Sequence, residues 1–209
     1  MGLLNFFRRP PPIRDVPALA EFIDGNAAFV AQKGIYEYSR ARAGHYSKIL
    51  FREPEFQAAA ENSRWRAYPL GLAMVSELVE GVLRPYSDDR RAALDRLNEI
   101  SLSVFDRYPP PAVLGAETWS QLRGELAHNL DVIGIHAVKA AKDIPVPFAE
   151  RYFEVMPIHE KLRASEFPTI TNYLRVTMCN IHEEFSTRID APTLAQAVRA
   201  ECEGLHWRS

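Results

Sequence analysis

Tyr68 to Arg84 reads YPLGLAMVSELVEGVLR, and this stretch decides the fold class. Leu70, Leu72, Met74, Val75, Leu78, Val79, Val82 and Leu83 cover most of a helix's circumference, the pattern of a helix enclosed by others at the centre of a bundle. Glu77, Glu80 and Arg84 are the polar exceptions and predict one wet edge. Its longest apolar run, Tyr68 to Val75, is far shorter than the roughly 20 residues that a membrane-spanning helix needs.

The flanking sequence supplies the helices around that centre. Val16, Leu19, Ile23 and Val30, widened by Phe22 and Phe29, form an apolar stripe behind Asp15 as N-cap and Pro17 in the first turn. Gly34 predicts a break or bend, so Ile35, Tyr38, His45 and Ile49 belong to a second helix or to the far arm of a kinked one. Ser87, Asp88 and Asp89 read as the start of a helix carrying Leu94, Leu97, Val104 and Phe105 to about Arg107.

Beyond Pro109 to Pro111, Trp119, Leu122, Leu126, Leu130, Ile133, Ala137 and Ala140 trace a long helix ended by Pro145 and Pro147. A short piece with Phe148, Tyr152 and Val155 follows, up to Pro157. After Pro168, Ile170, Leu174, Thr177, Ile181 and Phe185 make another stripe, and Asp190 with Pro192 starts a last helix through Leu194 and Val198. No stretch alternates apolar with polar residues over a strand's length, so the expected fold is an all-α, single-domain bundle of six to eight helices. Residues 1–12 read as a flexible apolar and basic head with a proline spacer, and 13–209 as the helical domain.

Composition narrows function only by class. The 209 residues are 47% apolar and 25% charged, ordinary for a globular domain that can bury one core. A formal charge of -2 argues against nucleic acid, which calls for a basic surface. Cys179 and Cys202 form no CxxC pair and read as unpaired thiols in a reducing, cytoplasmic compartment. The order of Leu3 to Phe7 before Arg8 and Arg9 does not match an export signal, and Phe6 stands where myristoylation needs a hydroxyl residue.

Three clusters carry candidate chemistry. Leu3, Leu4, Phe6 and Phe7 beside Arg8 and Arg9 have the composition of a short interfacial membrane anchor, in which apolar side chains enter the headgroup boundary and arginines meet anionic lipid. At ~0.8 kcal/mol per buried methylene such a segment binds reversibly and gains firmness from a second copy. Glu125 and His128 form a Glu-x-x-His pair as in carboxylate di-iron bundles, with Asp131 and His136 further on. The other long helix lacks the matching half, because Cys179 stands three residues before His182, and a solvated pair explains Glu125 and His128 more simply.

The third cluster lies in Tyr36 to Tyr46, YEYSRARAGHY, where Tyr38, Arg42 and His45 share a helical face and Arg64 and Trp65 stand nearby in the fold expected. Arginine forks between aromatic walls suit a carboxylate or phosphate ligand, whereas a buried tyrosine and histidine bonded to neighbours, with the arginines on a wet face or in ion pairs with Glu37, are the plainer account. There is no Gly-x-Ser-x-Gly turn, glycine-rich phosphate loop or flanked Cys and His, so no catalytic residue is assigned and no cofactor is implied. The expected function is a non-enzymatic interaction or adaptor protein of a bacterial-type cytoplasm that self-associates or binds a protein partner and rests on the inner membrane face. The alternative is a helical enzyme, such as a hydrolase, or a small-molecule carrier using Tyr38, Arg42, His45, Arg64 and Trp65.

Overall fold

The computed structural model describes residues 11–158 and 160–205. Its centre is α3, Pro54–Leu83, in which every residue from 67 to 80 is buried. Around it stand α1 (Val16–Ala43), α4 (Arg90–Phe105), α5 (Gly115–Val132), α6 (Ala149–Val155), α7 (Glu160–Arg188) and α8 (Ala191–Leu205), all in contact with α3. The single turn α2, Ser47–Leu50, joins α1 to α3. Among the described residues there is no sheet; one parallel bridge ties Ile13 to Ile189. One hydrophobic core runs from Ile13 to Val198, so the molecule is a single all-α domain.

The caps at Asp15 and Asp190 do what their positions predict. Asp15 accepts from the Ala18 amide at 2.8 Å, and Asp190 from the Thr193 amide at 3.4 Å. The start of α4 falls at Arg90, with Asp89 rather than Ser87 as cap, accepting from the Ala92 amide at 3.0 Å. Cys179 is a free, exposed thiol on α7. Leu3, Leu4, Phe6, Phe7, Arg8 and Arg9 lie outside the described residues, and no described helix is long and apolar enough to cross a membrane.

Four expectations about the helices change. α1 runs unbroken through Gly34, because the glycine serves close packing: a Cβ there would overlap the Tyr152 hydroxyl of α6 and lie 2.9 Å from Tyr173 Cε1 of α7. α5 stops at Val132 instead of continuing to Ala140. Gly134 adopts φ +89°, open to glycine but strained for other residues, and the carbonyls of Gly134 and His136 are taken by Arg90 and Arg84. α7 begins before Pro168, since its early turns are anchored by Glu166 to Arg42 and by Phe167 stacked edge-on to Phe153 at 5.4 Å. The predicted wet edge of α3 is dry: Glu77 and Glu80 are 6% and 8% exposed.

Buried polar groups in this core are largely answered. Ser101 Oγ donates to the Leu97 carbonyl at 2.8 Å, so its single hydrogen is committed and Ser76 is the donor in the 2.7 Å contact between the two hydroxyls. At the middle of α3, Asp24 accepts from Tyr68 at 2.7 Å and from Tyr108 at 3.0 Å. Trp65 seals this network, meeting Tyr68, Tyr108 and Trp119 edge-on at 6.0, 5.4 and 5.6 Å.

Candidate functional site

The C-terminal turns of α3 form one side of a cleft of about 730 Å³. Glu77, Glu80, Gly81 and Arg84 line it from α3, His136, Val138, Lys139, Ala141 and Ile144 from the segment after α5, and His182 and Ser186 from α7. The corner between α7 and α8, residues 189–192, closes it, with Tyr86 at the same cleft. The cleft exists because Gly134 turns the chain away from the α5 axis, laying residues 136–139 against α3 and Ala141–Asp143 against α7.

Two charged clusters organise this segment. Arg84 Nε and Nη2 donate to Glu80 at 2.7 and 2.6 Å, while Nη1 donates to the His136 carbonyl at 2.9 Å. The hydrogen bonds that Glu80 accepts hold the Arg84 pKa above its ordinary range. Lys139 Nζ lies 2.8 Å from Glu77 Oε1, and His136 Nε2 lies 3.5 Å from the same oxygen. The Lys139 contact is an ion pair outside hydrogen-bond geometry, for Glu77 Oε1 is buried without a directed donor. His136 Nδ1 lies 2.9 Å from the Ala137 carbonyl, which can only accept, so that nitrogen carries the hydrogen.

No family model, curated protein or solved structure matches this chain.

The structure does not gather the five residues expected to hold an anionic ligand. Arg42 pairs with Glu166, which answers its charge within the fold. Tyr38 packs against the core with its hydroxyl buried, and His45 is exposed in the turn Gly44–Tyr46 after α1. The Arg64 guanidinium lies over the Trp65 ring, 4.6 Å from its centroid, and lines a separate hollow with Tyr36, Phe51 and Phe56. Trp65 belongs to the aromatic cluster around Tyr68. None of Tyr38, Arg42, His45, Arg64 and Trp65 lines the cleft.

Glu125 and His128 are exposed on α5, where Glu125 pairs with Arg151 of α6. Among the described residues, no group of three or more His, Cys, Asp or Glu side chains is arranged to hold a metal ion. Cys179 does not line the cleft; His182 does, with Ser186 one turn on. The sequence signal for this cleft is three charged residues, Glu77, Glu80 and Arg84, inside an otherwise apolar helix: such charges are tolerated in a core only when paired. Their partners Lys139 and the His136 carbonyl sit about 50 or more residues away, beyond what local periodicity reports.

Proposed function

We propose that this protein is a helical binding protein that takes a small polar molecule into the cleft between α3, residues 136–144 and the corner of α7 and α8. One observation carries the reading: about 730 Å³ of space is bordered by the ionisable side chains Glu77, Lys139, His136 and His182. Small-molecule sites are commonly concave spaces of roughly 300–1,000 Å³ with a few converging polar groups on apolar walls, here Leu78, Val82, Val138 and Ile144. Glu80 and Arg84 fix the segment that carries Lys139, so the polar groups are held before any ligand arrives.

Ser186→Trp, on an exposed α7 position that lines the cleft, tests this by filling it. In saturation-transfer NMR against a fragment library, the full chain is expected to bind fragments that the variant no longer binds. Equal binding by both proteins, or binding by neither, contradicts the reading.

The adaptor reading draws on a different observation. Ile135 is 78% exposed, with Val132 and Val138 also exposed on the same segment, which supports a protein partner or self-association there. Ile135→Lys should then lower any concentration-dependent increase in sedimentation coefficient, and an unchanged profile counts against it. We place the protein in a bacterial-type cytoplasm, and we retain reversible contact of Leu3 to Arg9 with an anionic membrane face as part of this proposal. Deleting residues 1–9 should reduce sedimentation with anionic liposomes; no reduction removes the membrane component.

A further inference from the structure

Each charge bordering the cleft can be assigned to an internal partner or to the open space. Glu80 and Arg84 answer one another, and the remaining Arg84 nitrogen holds the His136 carbonyl. Glu77 is nearly covered: its side chain is 7% exposed and its Oε1 is buried. Asp190 accepts from the Thr193 amide at 3.4 Å and is exposed at the corner of α7 and α8. Two groups in the segment after α5 remain open to an incoming molecule: the Lys139 side chain, 27% exposed, and the His136 ring, 37% exposed.

An ammonium carries three N–H donors. Because the 2.8 Å approach to Glu77 Oε1 lies outside hydrogen-bond geometry, Glu77 fixes the position of Lys139 without saturating its donors. His136 lies against the same oxygen and brings a second titratable nitrogen beside them. His182, from α7, lines the cleft and is exposed.

From this arrangement we infer that the molecule taken by the cleft carries an anionic group, a carboxylate or a phosphate, seated on the Lys139 ammonium beside His136. The inference rests on the cleft being a ligand site and adds the chemical class of the ligand. Of the carboxylates at the cleft, Glu80 is answered by Arg84 and Glu77 is nearly buried, so the exposed Asp190, at the corner of α7 and α8, is the seat that a cationic ligand would use instead. Within the pair of Lys139 and Glu77 the ammonium is the more open member, 27% exposed against 7% for the carboxylate.

The test is an amide NMR titration of the full chain with malonate, with inorganic phosphate and with putrescine as separate probes. Malonate or phosphate is expected to shift the amides of residues 136–139, and comparison of the two distinguishes carboxylate from phosphate recognition. Removing one charged hydrogen-bond donor weakens binding by roughly 10- to 100-fold, so Lys139→Gln should show that loss while Lys139→Arg keeps most of the affinity. Lys142→Gln, an exposed control on the neighbouring turn, should titrate like the parent.

If putrescine moves these amides and neither anion does, the anionic assignment is overturned while the cleft remains a ligand site. If the anions titrate Lys139→Gln and the parent alike, the assignment to Lys139 is overturned. If no probe moves them, the anionic assignment falls; if, in addition, the parent and Ser186→Trp bind fragments equally or not at all, the ligand site falls with it.

Discussion

The Tyr152 hydroxyl donates to the Val30 carbonyl at 2.7 Å, bringing α6 against α1 at the one point where Gly34 leaves room for it. Tyr152 is completely buried, and burial raises its pKa well above the ordinary tyrosine value. Gly34→Ala gains up to about 1 kcal/mol of helix propensity, yet overpacking a filled site costs typically 1–3 kcal/mol, so the expected net effect is destabilising. In urea denaturation Tyr152→Phe should cost about 1 kcal/mol, and the double variant should be less unstable than the sum of the two. Strict additivity would show that the two residues do not share this space.

The tyrosines predict alkaline lability. Burial, followed by the hydrogen bond to Asp24, raises the pKa of Tyr68 and, more weakly, of Tyr108; burial, with a smaller contribution from the Glu37 charge, pushes Tyr173 up to about 12. In the unfolded chain these phenols ionise near pH 10, so above that pH the unfolded state binds fewer protons and stability falls. Their contribution is fully present below about pH 10 and is lost as pH rises toward the folded values. Urea midpoints measured from about pH 8 to about pH 11 should decline with the rise of tyrosinate absorbance, and Asp24→Ala should lower the midpoint at neutral pH by leaving the buried Tyr68 and partly buried Tyr108 hydroxyls without their acceptor. A flat profile would contradict this account.

Glu80 and Arg84 are a buried pair, with side chains 9% and 11% exposed. Arg84→Met leaves Glu80 buried without its partner and should cost about 3–5 kcal/mol in urea denaturation, whereas Glu80→Gln with Arg84→Met should recover much of that loss. Arg84 also holds the His136 carbonyl, so the single variant should speed hydrogen exchange at residues 135–139 beyond the global loss of stability. Unchanged relative protection there would mean that the segment is fixed by other contacts.

Asp106 and Arg123 give the contrasting case. Two parallel hydrogen bonds of 2.7 Å join them, and the Arg123 guanidinium holds the Asp106 carboxyl below its usual range, but each side chain is 46% exposed. Solvent screening limits such a pair to about 1 kcal/mol or less. Arg123→Ala should lose that small amount at neutral pH. Because the folded pKa is the lower one, the difference is present above about pH 4 and should vanish as the pH falls through the folded value.

How much of this was legible in the sequence follows the range of the forces involved. The caps Asp15 and Asp190 and the apolar circumference of α3 are local patterns and stand where they were read. Gly34 looked like a break because glycine weakens a helix; only the arrival of Tyr152, over a hundred residues later, shows that its missing side chain is what matters. The apolar period from Trp119 continues through Ile133, which is indeed buried, yet Gly134 and two arginines from other elements unwind the chain at that point.

The candidate site shows the same division. Polar and aromatic residues clustered in sequence, Tyr38 to His45, disperse into a core contact, an ion pair and an exposed turn. Glu77 and Glu80 looked solvated because nothing local could pair Glu77, whose partner Lys139 is brought over by the turn at Gly134. Helix-scale periodicity thus locates elements, while the cleft is a product of where one helix stops.

The central claim, that ligands enter at the end of α3, is tested most directly by mapping amide shifts of the full chain with any fragment that binds it. The account predicts that perturbed residues fall within 77–86, 136–144 and 182–192. Shifts concentrated instead around Tyr38, Arg42, His45, Arg64 and Trp65, or scattered over the surface, would contradict it.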